Sequence, residues 1–280
     1  MNNMKKKKKV SVLTIVIYTL LIGYCFLTLV PFLWTIITSL KPQAEIAGGN
    51  TFLPDTVTFD AYKTIFQSDL PKWVMNSTVV AIIVTVLNLV FNTMAGFALA
   101  RINFKGRDGI FALMLSLIMV PAQVTMIPTY IIVSNLGLIN THMAIILTSA
   151  INITYIFLMR QFFINFPAEI EEAAAMDGLS KIGTFFRIVL PTAKPALATQ
   201  AIFIFMGIWN EFMKPLLYLS SPDKYMLTQG LNALAKSFKN VTAWNVIMAG
   251  ALVSIIPIFI AYIVLNKYFI TTNDQTSGGK

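Results

Sequence analysis

An all-α integral membrane protein with six transmembrane helices is the fold class this sequence predicts, and three observations carry the prediction. Hydrophobic residues make up 56% of the 280 residues and charged residues only 12%, where a soluble domain carries about a quarter charged. The apolar residues fall into runs long enough for a bilayer, since a helix crossing roughly 30 Å of hydrocarbon needs about 20 of them. Lys and Arg gather in alternate segments between those runs, which marks a fixed orientation in a membrane. The net charge of +9 is therefore read as topology and attraction to anionic headgroups, not as nucleic-acid binding.

The first span lies near Val12 to Ile37. Lys5 through Lys9 precede it as in a signal peptide, but the run from Val10 to Leu40 has no charge and no small-residue cleavage pattern at its end. A retained helix is expected. Pro31 and Trp34 fall towards its far end, where a kink or an interfacial aromatic is tolerated. The single cysteine, Cys25, lies inside it, so no intrachain disulfide exists. A polar segment from Ser39 to Lys72 follows, in which the apolar patch Ala61 to Phe66 suits a surface helix.

The second span runs from Val74 to Ala100 and is closed by Arg101, Lys105 and Arg107. From Gly109 to Met159 no residue carries a charge with His142 neutral, a stretch too long for one helix. Ser134-Asn135-Leu136-Gly137 and Asn140-Thr141 supply the turn that divides it. The third span is thus Ile110 to Val133, kinked at Pro121 and Pro128, and the fourth is His142 to Phe163 with His142 as an interfacial cap. Asn165 to Lys194 is polar enough to leave the membrane as two short helices. Pro167 opens the first, Asp177-Gly178 stops it with a glycine free to take positive φ, and Ser180 caps a second that ends near Pro191. The fifth span is Ala196 to Leu219 and the sixth Trp244 to Tyr268, joined by a loop, Ser220 to Ala243. A polar, glycine-ended tail is expected to be disordered. The organisation is then a basic segment, first helix and external segment (1–72), a transmembrane core (73–268) and a tail (269–280).

With both termini cytoplasmic, two thirds of the 21 Lys and Arg fall on the inner side, including Arg160, Lys181, Arg187 and Lys194 around the loop after span four. Catalysis finds no foothold: there is no phosphate-binding G-x-x-x-x-G-K-[ST] loop, no nucleophile elbow, and one histidine builds no His-based metal site. No cofactor and no metal site are expected in this chain.

That loop carries Glu172-Ala173-Ala174, then Gly178 after three residues, Ile188 after nine more, and Leu190-Pro191 after one. The pattern resembles the E-A-A signature of the inner-membrane permease subunits of bacterial ABC importers, with every fixed position matched. Asn76-Ser77, Ala95 through Arg101, Phe104-Lys105-Gly106-Arg107, Met119-Val120-Pro121, Ile127-Pro128, Leu136 through Thr141, and Trp209-Asn210-Glu211-Phe212 extend the resemblance to the carbohydrate branch of that family. The chain is similar in kind to the second permease of the maltose importer. It departs from the branch at its tail, Thr271-Thr272-Asn273-Asp274-Gln275, where a glycine-rich basic ending is usual.

The resemblance implies a type I importer permease fold in the bacterial cell membrane, carrying a sugar or oligosaccharide handed over by an extracellular binding protein. It implies a second, different permease and two ATPase subunits, with ATP and Mg held in the latter and no enzymatic activity in this chain. The coupling loop that docks on an ATPase comprises Glu172, Ala173, Ala174, Asp177, Gly178, Ile188, Leu190 and Pro191. Glu172 offers an arginine a charge-assisted bond, the alanines allow close approach, and Asp177 suits either turn chemistry or a partner contact. Trp209, Asn210 and Glu211 are candidates for the translocation pathway or outer gate. A carboxylate within a span is costly, so Glu211 either faces water or pairs with Lys214 one turn on. Ala95, Gly96, Ala98 and Ala100 suit helix packing. Two alternatives stand beside this reading: an ABC permease for a non-sugar solute, and an ion-coupled secondary transporter, which would normally carry more intramembrane acids or histidines than Glu211 alone.

Overall fold

A computed structural model describes residues 12–48, 52–237 and 243–277, with side chains as far as Val264. The lysine run at the N-terminus lies outside the described residues. Among the described residues there are helices and turns and no strands. They form two compact units: the N-terminal segment up to Gln67 with Leu234–Val253, and Ser68–Ala233 with the chain from Ser254 onward.

The first unit holds α1 (Val12–Ser39), α2 (Gln43–Gly48) and α3 (Asp60–Gln67). Nearly every side chain of α1 is exposed, Leu27 at 71%, on a helix with apolar residues all around. Such a helix has hydrocarbon as its solvent. The expected surface helix is α3, which buries Ala61 and Ile65 and places the Tyr62 hydroxyl 2.9 Å from Ser39 Oγ. Lys41 and Glu45 form a shielded ion pair at 3.5 Å, and Asn245 Nδ2 donates to the Lys41 carbonyl.

In the second unit α4 (Leu70–Arg101) spans 32 residues without interruption. It is followed by α5 (Arg107–Ile118), α6 (Ala122–Asn135), α7 (His142–Ser149) and α8 (Ile153–Ile164). The loop helices α9 (Ala168–Met176) and α10 (Lys181–Thr184) lead through a π-helical turn, Phe185–Val189, into α11 (Leu190–Thr192). Then come α12 (Lys194–Trp209), α13 (Met213–Tyr218), α14 (Leu227–Ser237) and α15 (Trp244–Ser277), of which the stretch Leu234–Val253 belongs to the first unit.

Four helical segments are long and apolar enough to cross a membrane: Val12–Ser39, Leu70–Arg101, His142–Ile164 and Trp244–Val264. Two bent pairs bring the number to six when each is counted as one span. The third span differs from the kinked helix expected of it, because α5 and α6 meet at 104°. Pro121 caps α6, and its missing N–H and the restriction it places on Val120 end α5 outright. Pro128, by contrast, sits inside α6. The expected fifth span, Ala196 to Leu219, is interrupted at Asn210–Phe212, and a 74° bend between Lys181–Thr192 and Lys194–Trp209 precedes it. The expected loop from Ser220 to Ala243 contains α14, and α15 continues beyond Phe269 to Ser277, where no proline or glycine intervenes before Gly278.

Two apolar clusters organise the second unit. Val80 and Val84 of α4 pack with Ile145 of α7, Ile204 of α12, Tyr218 and Met226. Nearer Arg101, Phe97 packs with Met159, Phe163, Phe185 and Val189, and the Phe97 and Phe163 rings meet edge to face at 5.5 Å. Gly96 permits this approach of α4 to α8, since a Cβ there would lie 2.7 Å from Met159 Cβ. Small residues at helix contacts serve the same purpose throughout membrane proteins.

Candidate coupling loop and polar cleft

Local sequence builds the loop. The last turn of α9 closes with Gly178 N–H donating to Ala175 O and Leu179 N–H to Ala174 O, both at 3.0 Å, and Gly178 takes φ +81°. This is the paired hydrogen-bond pattern of a glycine-terminated helix, as the Asp177-Gly178 step predicts. Ser180 Oγ accepts from Gly183 N–H at 3.1 Å and caps α10. Pro191 has no N–H for the Arg187 carbonyl, and ahead of it Leu190 N–H bonds to Phe185 O, the wide turn that a proline imposes locally.

The signature residues separate by orientation. Glu172, Ala173, Asp177 and Pro191 are exposed, whereas Ala174 is buried and Ile188 and Leu190 are half-buried. The surface offered by the loop is also apolar, with Met176 84% and Ile182 69% exposed. The other side of α9 is fixed to the end of α4: Arg101 Nε lies 3.1 Å from Glu171 Oε1 and donates to Phe163 O at 2.9 Å, while the same guanidinium reaches Phe166 O. Sequence reasoning singled out Glu172 and passed over Glu171. Neighbouring carboxylates on a helix point about 100° apart, and only the fold says which one faces α4. Arg160 donates to Leu99 O and sits over the Phe111 ring at 3.9 Å.

Deeper in the second unit, α7 and α8 are interrupted at Ala150–Asn152, and α4 satisfies the interruption. Asn88 Nδ2 donates to Ser149 O at 2.6 Å, Asn92 Nδ2 donates to Asn88 Oδ1, and Asn92 Oδ1 accepts from Asn152 N–H at 3.2 Å. Irregular backbone inside a bilayer needs such partners. The signal for these asparagines was available, as two amides four residues apart in an apolar run.

Beside this bracket opens a cleft of about 250 Å³, bordered by Asn88, Asn152, Tyr155, Phe203, Glu211 and Lys214 among others. Glu211 is not inside a continuous helix. It lies in the break after α12, and its Oε1 accepts from the N–H groups of Met213 and Lys214 at 3.0 and 3.3 Å, capping α13. The ion pair considered for Glu211 and Lys214 does not form. Lys214 Nζ turns instead to Thr148 O at 3.1 Å and Ser149 Oγ at 2.6 Å, where the last turn of α7 attracts a cation. Trp209 is enclosed, 1% exposed, with its indole N–H on Ser254 O and its ring stacked with Phe205 at 5.8 Å. Asn210 is exposed, its amide donating to Met206 O at 2.8 Å. The ring of His142, at the first residue of α7, lies 2.8 Å from the Lys224 carbonyl.

Residues 92–271 match the family described as binding-protein-dependent transport system inner membrane component. The chain belongs to this family. It is a permease subunit of an ABC importer, a transport component and not an enzyme. It is 35% identical to the arabinooligosaccharides transport system permease protein AraQ of Halalkalibacterium halodurans, over 94% of this chain and 96% of that protein. It is 33% identical to the diacetylchitobiose uptake system permease protein NgcG of Streptomyces coelicolor, over 89% and 84%, and 30% identical to the lactose transport system permease protein LacG of Rhizobium radiobacter, over 91% and 93%. Among solved structures it resembles a bacterial ABC transporter involved in the import of the acidic polysaccharide alginate, with TM-score 0.82, 26% identity, and 95% of this chain and 100% of that chain covered. These matches place the permease in a membrane.

Proposed function

We propose that this permease forms one half of the membrane pathway for a sugar or oligosaccharide delivered by an extracellular binding protein. The observation that carries the reading is the full-length similarity to permeases named for arabinooligosaccharide, diacetylchitobiose and lactose transport. The cleft adds support, because amide, hydroxyl and aromatic groups suit the hydroxyls and C–H faces of a sugar. A second, different permease supplies the other half. Two ATPase subunits bind ATP and Mg, and this chain holds neither.

In this reading the chain crosses the bacterial cell membrane six times with both termini inside, and residues 73–268 form the permease core. Glu172, Ala173, Asp177 and Gly178 then face an ATPase, together with the exposed Met176 and Ile182. Closure of the ATPases moves the loop, Ile188, Leu190 and Pro191 carry that motion into α12, and Arg101 carries it into α4. Glu211, flanked by Trp209 and Asn210, lies on the pathway or its outer gate.

Reconstitution tests this function. Alone in liposomes the chain hydrolyses no ATP and moves no sugar; with its cognate permease, ATPases and loaded binding protein it supports both. Proton-driven uptake by the chain alone would sink the proposal. A tag inserted after Asn135 is labelled from outside intact cells and one after Gly178 is not; the reverse result overturns the topology.

A further inference from the structure

The polar side chains around the cleft divide into those whose hydrogen bonds hold the fold and those with groups to spare. Asn88 spends its amide on Val84 O and Ser149 O and its oxygen on Asn92. Thr148 donates back into α7, and Ser149 Oγ accepts from Lys214. Four others keep capacity. Asn152 Oδ1 accepts from Thr154 N–H at 2.9 Å, which leaves its NH2 group without a protein partner among the described residues. Tyr155, on the same turn of α8, has a hydroxyl in the same condition. Glu211 uses Oε1 on the start of α13 and keeps Oε2. Lys214 uses two of its three N–H donors.

The apolar part of the lining includes Phe203, Ile204 and Ile208 of α12, with Gly207 between them. A Cβ added at Gly207 would meet nothing within 4 Å, so this part of the wall is open space. The lining therefore combines an amide, a phenol, a carboxylate oxygen and an ammonium N–H, with charges that cancel, and aromatic and aliphatic side chains. A pyranose or furanose ring has the matching combination, hydroxyls at its edge and C–H groups on its face. The cleft, at about 250 Å³, falls just short of the roughly 300 to 1,000 Å³ that drug-sized ligands occupy. It suits one ring and not a chain.

We propose that this cleft is a binding subsite for a single neutral glycosyl unit. Glu211 and Lys214 engage hydroxyls at its edge, Asn152 and Tyr155 complete the polar lining, and Phe203 covers a ring face. The inference rests on the sugar-permease reading above, and goes beyond it by placing substrate contacts in this chain and choosing neutral over anionic sugars.

The test uses the complete transporter with its binding protein in proteoliposomes, and labelled lactose, diacetylchitobiose, an arabinooligosaccharide and a uronic-acid disaccharide as probes. Gly207→Leu fills the cleft while removing no existing contact, and Tyr155→Phe removes only the spare hydroxyl. Uptake by each variant is compared at equal amounts of assembled complex, read from copurification of all subunits. Uptake of the neutral probe that the wild type imports best falls at least about tenfold with Gly207→Leu and about threefold to tenfold with Tyr155→Phe, the range for one lost hydrogen bond. Wild-type import matched by both variants overturns the subsite alone. Preference for the uronic-acid probe overturns the choice of a neutral ring. A wild-type complex that imports none of the four overturns the sugar reading, and the subsite falls with it.

Discussion

At the Leu70 end of α4, neutral side chains reach the segment before α14: Trp73 Nε1 donates to Pro222 O at 3.0 Å, Asn76 Nδ2 to Asp223 O and Tyr225 O, and Ser77 Oγ accepts from Leu227 N–H at 2.8 Å. At the Arg101 end a single guanidinium holds two carbonyls and the Glu171 carboxylate. The first arrangement spreads its strength over several bonds of about 1 kcal/mol each. The second concentrates a stronger, charge-assisted interaction in one side chain. A part that only has to stay in place is well served by many weak ties. A part that, as proposed, carries displacement from an ATPase into a long helix is better served by one stiff connection, and the loop sits at that end of α4.

Arg101→Ala breaks this comparison most directly. It leaves Glu171 and two carbonyls in a half-buried site without their cation, a loss of about 3 kcal/mol. The expected outcome is an assembled transporter whose ATP hydrolysis no longer drives uptake, measured as sugar moved per ATP hydrolysed. An unchanged ratio would mean that α4 receives its motion elsewhere. Gly178→Val acts next. The space around a Cβ there is open, so the cost is conformational: a β-branched residue at φ +81° costs about 1 to 3 kcal/mol and redirects α10. Weaker copurification of the ATPases at equal membrane levels checks it.

Ser77→Ala probes the opposite end and is expected to behave differently in kind. It strands the Leu227 N–H, in a residue that is fully buried, at a cost of about 1 to 2 kcal/mol. Thermal unfolding of the complex shifts down while the uptake-to-hydrolysis ratio stays at the wild-type value. A changed ratio would erase the distinction between the two ends.

What could be read from the sequence follows the range of the forces involved. The turn at Gly178 and the Ser180 cap are settled within a few residues by φ preferences and side-chain capping, and both were legible; at Pro121 the sequence suggested a kink and the chain breaks instead. The size of the α5–α6 bend was not legible, since a proline can kink a helix or end it and the choice is made by packing. Arg101 and Glu171 stand 70 positions apart, and no spacing rule joins them. Helical periodicity offered a pair of Lys214 with Glu211 as one of two readings of that acid; the break at Asn210–Phe212 removes that periodicity, and the C-terminus of α7 supplies the acceptors instead. Asn88 and Asn92 were visible as polar residues in an apolar run, but their role exists only because α7 and α8 are interrupted beside them.

Glu172→Ala is the smallest change for the chain itself. The side chain is exposed and α9 is fixed from its other side through Glu171, so folding stability moves by no more than about 0.5 kcal/mol. The neighbouring pair supplies an internal control that the motif alone would not suggest: Glu171→Gln weakens the tie to Arg101 and leaves the exposed Glu172 carboxylate intact. Glu172→Ala therefore lowers ATPase affinity, with the loss of one charge-assisted bond, about 1.5 to 3 kcal/mol, appearing as roughly tenfold or greater weakening in copurification or titration. Transport per ATP by the complexes that do form stays at the wild-type ratio. Glu171→Gln gives the converse, near-normal docking with a lower ratio. Identical behaviour of the two variants would show that α9 does not divide docking from transmission between its two faces.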